Sequence, residues 1–96
     1  GMSMHDLDDG VTKVLEASEY KDFIVHKTGH GLGMDVHEDP YVMRKNYELL
    51  EKGMVITIEP GLYKDTHLGI RVEDDVLITN EGCKSLTSFD RDLRVI

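Results

Sequence analysis

A chain of 96 residues has room for one domain, near the size at which folding buries roughly 60% of the unfolded surface and leaves a small net stability. Hydrophobic residues make up 40% and charged ones 31%, and the longest apolar stretch, Met54 to Ile58, falls far short of the roughly 20 residues of a membrane span. Nineteen acidic against eleven basic residues give a formal charge of -8, which repels phosphate backbones and anionic membranes, so neither is an expected partner.

Residues 1–4 read as a tag or disordered start, with Gly1 and Met2 taken as a cloning scar. Leu7, Val11, Val14 and Leu15 recur at helical spacing between Asp6 and Tyr20, with Asp8 and Asp9 in the first turn complementing the helix dipole, so one amphipathic helix is expected there. Gly10 inside it costs about 1 kcal/mol against alanine. Phe23, Ile24 and Val25 fit a short strand. It leads into the run from His26 to Pro40, which contains His30 and His37. His26 and His30 have the spacing of one helical face, but Gly29, Gly31 and Gly33 argue for a glycine-rich extended loop instead. Such glycines let backbone pass close to another group, so a histidine between two of them can turn toward a crowded site. Neither G-x-G-x-x-G nor a following Lys-Ser/Thr is present, which argues against a phosphate loop.

Glu38 to Pro40 has, as its plain alternative, a simple turn, and Asn46 to Leu50 reads as one helical turn. Met54 to Ile58 alternates as a strand with Val55, Thr57 and Glu59 on one face, ended by Pro60 and Gly61. Gly69 to Thr79 reads as a second strand with Arg71, Glu73 and Asp75 on one face. Paired antiparallel through Lys64 to Leu68, the two strands set Glu59 and Glu73 side by side. Carboxylates so placed repel unless a proton, a base or a metal lies between them. Imidazole and carboxylate together suit borderline divalent ions such as Zn, Mn, Co or Fe. The one cysteine, Cys83, can form neither a thiolate cage nor an internal disulfide, and no signal-peptide pattern opens the chain, so the cytoplasm is the expected compartment. The plain structural alternatives put Glu59 at an exposed strand end, Glu73 beside Arg71, and His37 as a loop cap. His5, His67, Asp74 and Asp75 read as solvated loop residues, and Cys83 as a small apolar residue near the last strand. Glu81 and Gly82 read as a turn into a final strand about Lys84 to Leu86; beyond Ser88 no element is assigned.

These three motifs, His26 to Pro40, Ile58 to Tyr63 and Ile70 to Asp75, resemble in content and order the C-terminal catalytic half of the pita-bread metallopeptidases. The likeness is strongest to the aminopeptidase P and prolidase branch and runs from about Asp6 to Leu86. It implies an α/β (α+β) fold, half of a pita-bread domain, with an N-terminal helix and a curved, mostly antiparallel sheet. Residues 5–96 would then form a single partial catalytic domain. The resemblance implies His30, Glu59 and Glu73 as metal ligands, Glu59 also relaying a proton and Glu73 bridging two ions. It implies His37 as the group that steadies the oxyanion, His26 as a contact on the proline side of the substrate, and Arg71 as an arginine supporting ligands and substrate. The implied cofactors are divalent ions, Mn, Co or Zn, two in the full family site, which activate a water for attack on the bond before proline. The implied substrates are X-Pro peptides or dipeptides.

The family site also needs two aspartates from strands well upstream, and this sequence offers no match for them. Asp6, Asp8 and Asp9 fall on the expected helix and are not read as ligands. Three protein ligands can hold one ion, so metal is expected to be weak or absent in this chain alone. Three readings follow. The chain is the C-terminal half of a proline-directed exopeptidase, whether fragment, truncated product or split subunit; or a non-catalytic peptide-binding module; or a small metal-binding or purely structural homodimer. An uncovered sheet edge and apolar flank predict self-association, so the expected protein partner is a second copy or a missing N-terminal half.

Overall fold

The computed structural model describes residues 1–24, 27–64, 68–93 and 95 of the chain. Helix α1 (Met4–Glu16) begins before the expected Asp6 and ends before Tyr20. Ser3 caps it, its Oγ accepting the Asp6 N–H at 3.1 Å, which satisfies one of the donors a helix start leaves free. The N–H groups of Met4 and His5 donate to the carbonyls of Glu48 at 2.9 Å and Asn46 at 2.6 Å. That arrangement corrects two expectations. Ser3 and Met4, placed by sequence in a tag or disordered start, are buried, Met4 completely. Asn46 to Leu50 forms no helical turn, because its carbonyls serve the start of α1, and Leu49 pairs with Ser3.

Lys21–Phe23 form a single 3-10 turn, closed by the Phe23 N–H on the Tyr20 carbonyl at 3.0 Å. The strand expected at Phe23 reduces to one bridge between Ile24 and Leu62, and Val25 lies outside the described residues. Among the described residues seven strands follow: β1 (Gly29–Gly31), β2 (Glu38–Val42), β3 (Val55–Ile58), β4 (Gly61–Lys64), β5 (Leu68–Arg71), β6 (Asp74–Thr79) and β7 (Gly82–Ser85). An antiparallel sheet has the order β2-β1-β3-β6-β7, and β4 pairs with β5 in a second, two-stranded sheet. Glu38 to Pro40 opens β2 instead of turning. The register slips between His30↔Tyr41 and Gly31↔Glu38, which leaves Asp39 and Pro40 in a bulge, where a residue without an N–H costs the ladder no bond.

The strand expected over Gly69 to Thr79 is divided into β5 and β6. Its cause lies on the opposite strand: Glu59 sends its N–H to the Thr28 carbonyl at 2.7 Å, and Pro60 has none to give. The ladder stops there and resumes in the same register, Ile58 facing Asp74 on one side and Gly61 facing Arg71 on the other. Glu59 and Glu73 are therefore opposite one another at the break. Alternation sends Ile56 into a core with Met4, Val42 and Val76, with Leu7, Leu50, Met54, Ile58 and Ile78 packed around it, and turns Thr57 to the other face. Each fully buried aliphatic side chain contributes about 1.5–3 kcal/mol.

His5 is part of α1, not a loop, and stacks on Tyr47 with ring centroids 4.8 Å apart. Asp74 is not solvated either: Thr87 Oγ1 and Arg91 Nε donate to its two oxygens at 2.6 and 2.7 Å, anchoring the segment after β7. Cys83 is an exposed residue of β7, and His67 lies outside the described residues. No helix among the described residues is long and apolar enough to cross a membrane.

Candidate functional site

His30 occupies the middle of β1, where neighbouring strands approach so closely that neither flanking residue can carry a side chain. A Cβ on Gly29 would overlap the Thr57 carbonyl, and one on Gly31 the Asp39 carbonyl. The close approach expected of these glycines is what clamps the histidine. Its N–H donates to Thr57 Oγ1 at 3.1 Å, and its Nδ1 lies 2.8 Å from the Gly31 carbonyl oxygen. A carbonyl only accepts, so Nδ1 carries a proton and Nε2 is the ring nitrogen left to face Glu59. Nε2 lies 3.2 Å from Glu59 Oε2, with both side chains largely buried. A lone pair facing a carboxylate is favourable only with a proton or a cation between them.

Arg71 Nη1 lies 3.9 Å from Glu59 Oε1. Glu59 is thus neither at an exposed strand end nor left to itself, and Arg71 pairs with it and not with Glu73. The His37 ring lies 4.4 Å from that of His30, centroid to centroid. Both histidines, Glu59, Arg71 and Glu73 line one cleft of about 310 Å³. Leu32 and Val36 supply its apolar side, and Thr57 and Asp75 complete it. His26 lies outside the described residues.

Asp75, expected to be solvated, and Thr57, given no role, are the polar cleft residues that sequence reasoning missed, beside the apolar Leu32 and Val36. Their signal was the same alternation that located the glutamates, since Thr57 shares a face with Glu59 and Asp75 with Glu73. The register pairs the two directly.

The donors suit a divalent ion: an imidazole whose Nε2 faces the cleft and carboxylates on the same cleft. They are not preassembled, for among the described residues no three His, Cys, Asp or Glu side chains converge closely enough to hold one. Of the expected trio, His30 and Glu59 are in contact, and Glu73 is exposed in the same cleft. A larger hollow of about 650 Å³ lies among Leu7, Leu50, Ile58 and Ile78. Its mainly aliphatic walls offer no such chemistry, so the donor set and not size selects the site.

A match to the model of metallopeptidase family M24 covers residues 1–80. The chain belongs to this family. Among M24 relatives, the Xaa-Pro dipeptidase of Pyrococcus furiosus is 42% identical over 93 residues, covering 97% of this chain and 27% of that protein. The solved Xaa-Pro dipeptidase from Bacillus anthracis superposes with a TM-score of 0.94 at 32% identity, over 100% of this chain and 27% of its own. The X-Pro aminopeptidase from Thermotoga maritima gives 0.93 at 35% identity, with the same coverage of 100% and 27%. The α/β arrangement of one helix and antiparallel sheets is the pita-bread fold of these peptidases. The chain spans about a quarter of the length of the relatives it matches.

Proposed function

We propose that this M24 chain carries part of the catalytic site of a proline-directed, metal-dependent exopeptidase of the X-Pro dipeptidase or aminopeptidase type. The observation that supports it most is His30 Nε2 facing Glu59 Oε2 at 3.2 Å while Nδ1 is committed to Gly31, a pair that calls for a positive charge. The X-Pro specificity named for the relatives supports the substrate class. In this reading His30, Glu59 and Glu73 hold Mn, Co or Zn, which when bound lowers the pKa of water enough to supply hydroxide at neutral pH. Glu59 takes the proton and delivers it to the leaving imino nitrogen. Arg71, on its other oxygen, keeps that carboxylate oriented and faces the substrate. His37 donates to the substrate carbonyl oxygen as charge develops on it, and His26 meets the proline side.

The two aspartates that the pita-bread resemblance calls for have no counterpart in these 96 residues, since Asp6, Asp8 and Asp9 sit on α1. A two-ion site needs them from polypeptide outside. A cytoplasmic setting belongs to the proposal on the strength of the free thiol of Cys83.

The test is elemental analysis of the purified chain, then hydrolysis of an X-Pro dipeptide with added Mn, both alone and with a separately supplied N-terminal portion of a homologous prolidase. Turnover that depends on the added portion and disappears in Glu73→Ala supports the proposal; no metal and no turnover in any combination overturns it. The unconverged ligands and the exposed Leu68 and Ile70 favour a second reading, a self-associating metal- or peptide-binding module. Metal uptake without turnover, or peptide binding that survives Glu73→Ala, selects that one.

A further inference from the structure

Asp8 points inward from α1 and is 6% exposed; its Oδ1 accepts the hydroxyl of Thr28, itself 3% exposed, at 2.7 Å. A carboxylate buried in this way is costly without such a bond, and the peptidase reading uses neither residue. The main chain of Thr28 is also engaged on both sides. Its N–H donates to the Val42 carbonyl at 3.1 Å, and its carbonyl accepts the Glu59 N–H at 2.7 Å. One residue thereby ties together the helix through its hydroxyl, β2 through its N–H, and the end of β3 through its carbonyl. His30 follows two positions later, in β1, which begins directly after Thr28.

We infer that Asp8 and Thr28 are positioning residues for Glu59 and His30. The helix carboxylate fixes Thr28, the Thr28 carbonyl fixes the Glu59 main chain at the break in the ladder, and the Glu59 side chain is thereby aimed at His30 Nε2. A hydroxyl-to-carboxylate bond is among the stronger protein hydrogen bonds, and this one is shielded from water. The inference rests on the reading of His30 and Glu59 as ligands, although the anchoring itself is independent of any ion.

Hydrogen exchange followed by NMR on the whole chain separates positioning from simple stability. The amides of Ile56 and Val76 in the core ladder report global opening, and the Glu59 amide reports the local bond. Thr28→Val keeps the shape and deletes the hydroxyl; it should speed exchange at Glu59 about three- to tenfold relative to the core amides. Calorimetric Mn affinity should fall with it. Thr28→Ser should restore both, and Asp8→Asn, which keeps an oxygen acceptor, should give a smaller change in the same sense. Should Thr28→Val not fold, Asp8→Asn carries the comparison. Equal acceleration at Glu59 and the core amides, or no restoration by serine, overturns the inference in favour of a purely structural anchor, as does unchanged Mn affinity beside a selective loss at Glu59. A wild-type chain that takes up no Mn and gives no turnover with the added N-terminal portion, while its Glu59 amide responds selectively, overturns the proposed function and leaves the anchoring supported.

Discussion

The ribbon formed by Val55 to Lys64 and Leu68 to Thr79 keeps one register throughout, yet its two halves differ sharply. In the β3–β6 half, Ile56, Thr57 and Val76 are 0%, 1% and 6% exposed, with β1 and β7 on the flanks and α1 packed behind. Every residue of β5 in the other half is exposed. Both halves alternate apolar residues, so local propensity does not separate them; the covering layers do. Glu59 and Glu73 face each other where one half gives way to the other. The candidate site thus joins His30 and Glu59, held by packed strands, to Glu73, which is exposed at the edge of the uncovered half.

The sharpest way to break this comparison is to truncate a residue of the packed half. Ile56→Ala should destabilise the chain by about 2–5 kcal/mol, read as a lowered denaturant midpoint; a loss under 1 kcal/mol would mean that β3 is no better supported than β5. Gly29→Ala comes next. Its new Cβ meets the Thr57 carbonyl, so β1 must move off β3, at a cost of about 1–3 kcal/mol. It should also separate the rings of His30 and His37, visible as loss of their mutual ring-current shifts by NMR.

Legibility in sequence followed the same division. Helix α1 and β3 were readable because each carries its own hydrophobic period, and the site residues were readable because histidine, glycine and glutamate recur at motif spacing. The break between β5 and β6 was not, since it depends on where the Glu59 N–H goes, and its acceptor, Thr28, is remote in sequence. Asn46 to Leu50 misled for a related reason: its carbonyls are claimed by donors of α1, an outcome no local pattern contains. Asp75 shows the opposite failure. Alternation had placed it beside Glu73, and only its lack of a motif role kept it out of the site. Ligand types could be read from the chain, but that Glu73 is exposed while His30 and Glu59 touch could not, because burial depends on which strands come to cover each position.

A weaker effect should come from the clasp on Asp74, which lies in the packed half directly after the break. The hydrogen bond from Arg91, and after it that from Thr87, holds the Asp74 carboxyl below the usual carboxylate range. A depressed folded-state pKa contributes stability that is present above the unfolded value of about 4 and lost as pH falls through the folded value. Acidification below about pH 4 should therefore release the segment around Arg91 before β3 opens, detected as faster exchange of its Nε–H. Asp74→Asn should remove that pH dependence. The change in overall stability will be small, because the pair is partly exposed and screened by water.

The smallest effect is expected in the uncovered half. Ile70 is 58% exposed, so Ile70→Thr should alter stability by no more than about 0.5 kcal/mol, because the side chain has little burial to lose and threonine keeps the β-branch. Dilution tells more than the value itself. If β5 is covered by a second copy in solution, the loss will be larger at high protein concentration and vanish on dilution, since association stabilises only the state that binds. A loss that is large at every concentration would show that Ile70 is supported within the single chain, and the contrast between the two halves of the ribbon would fall.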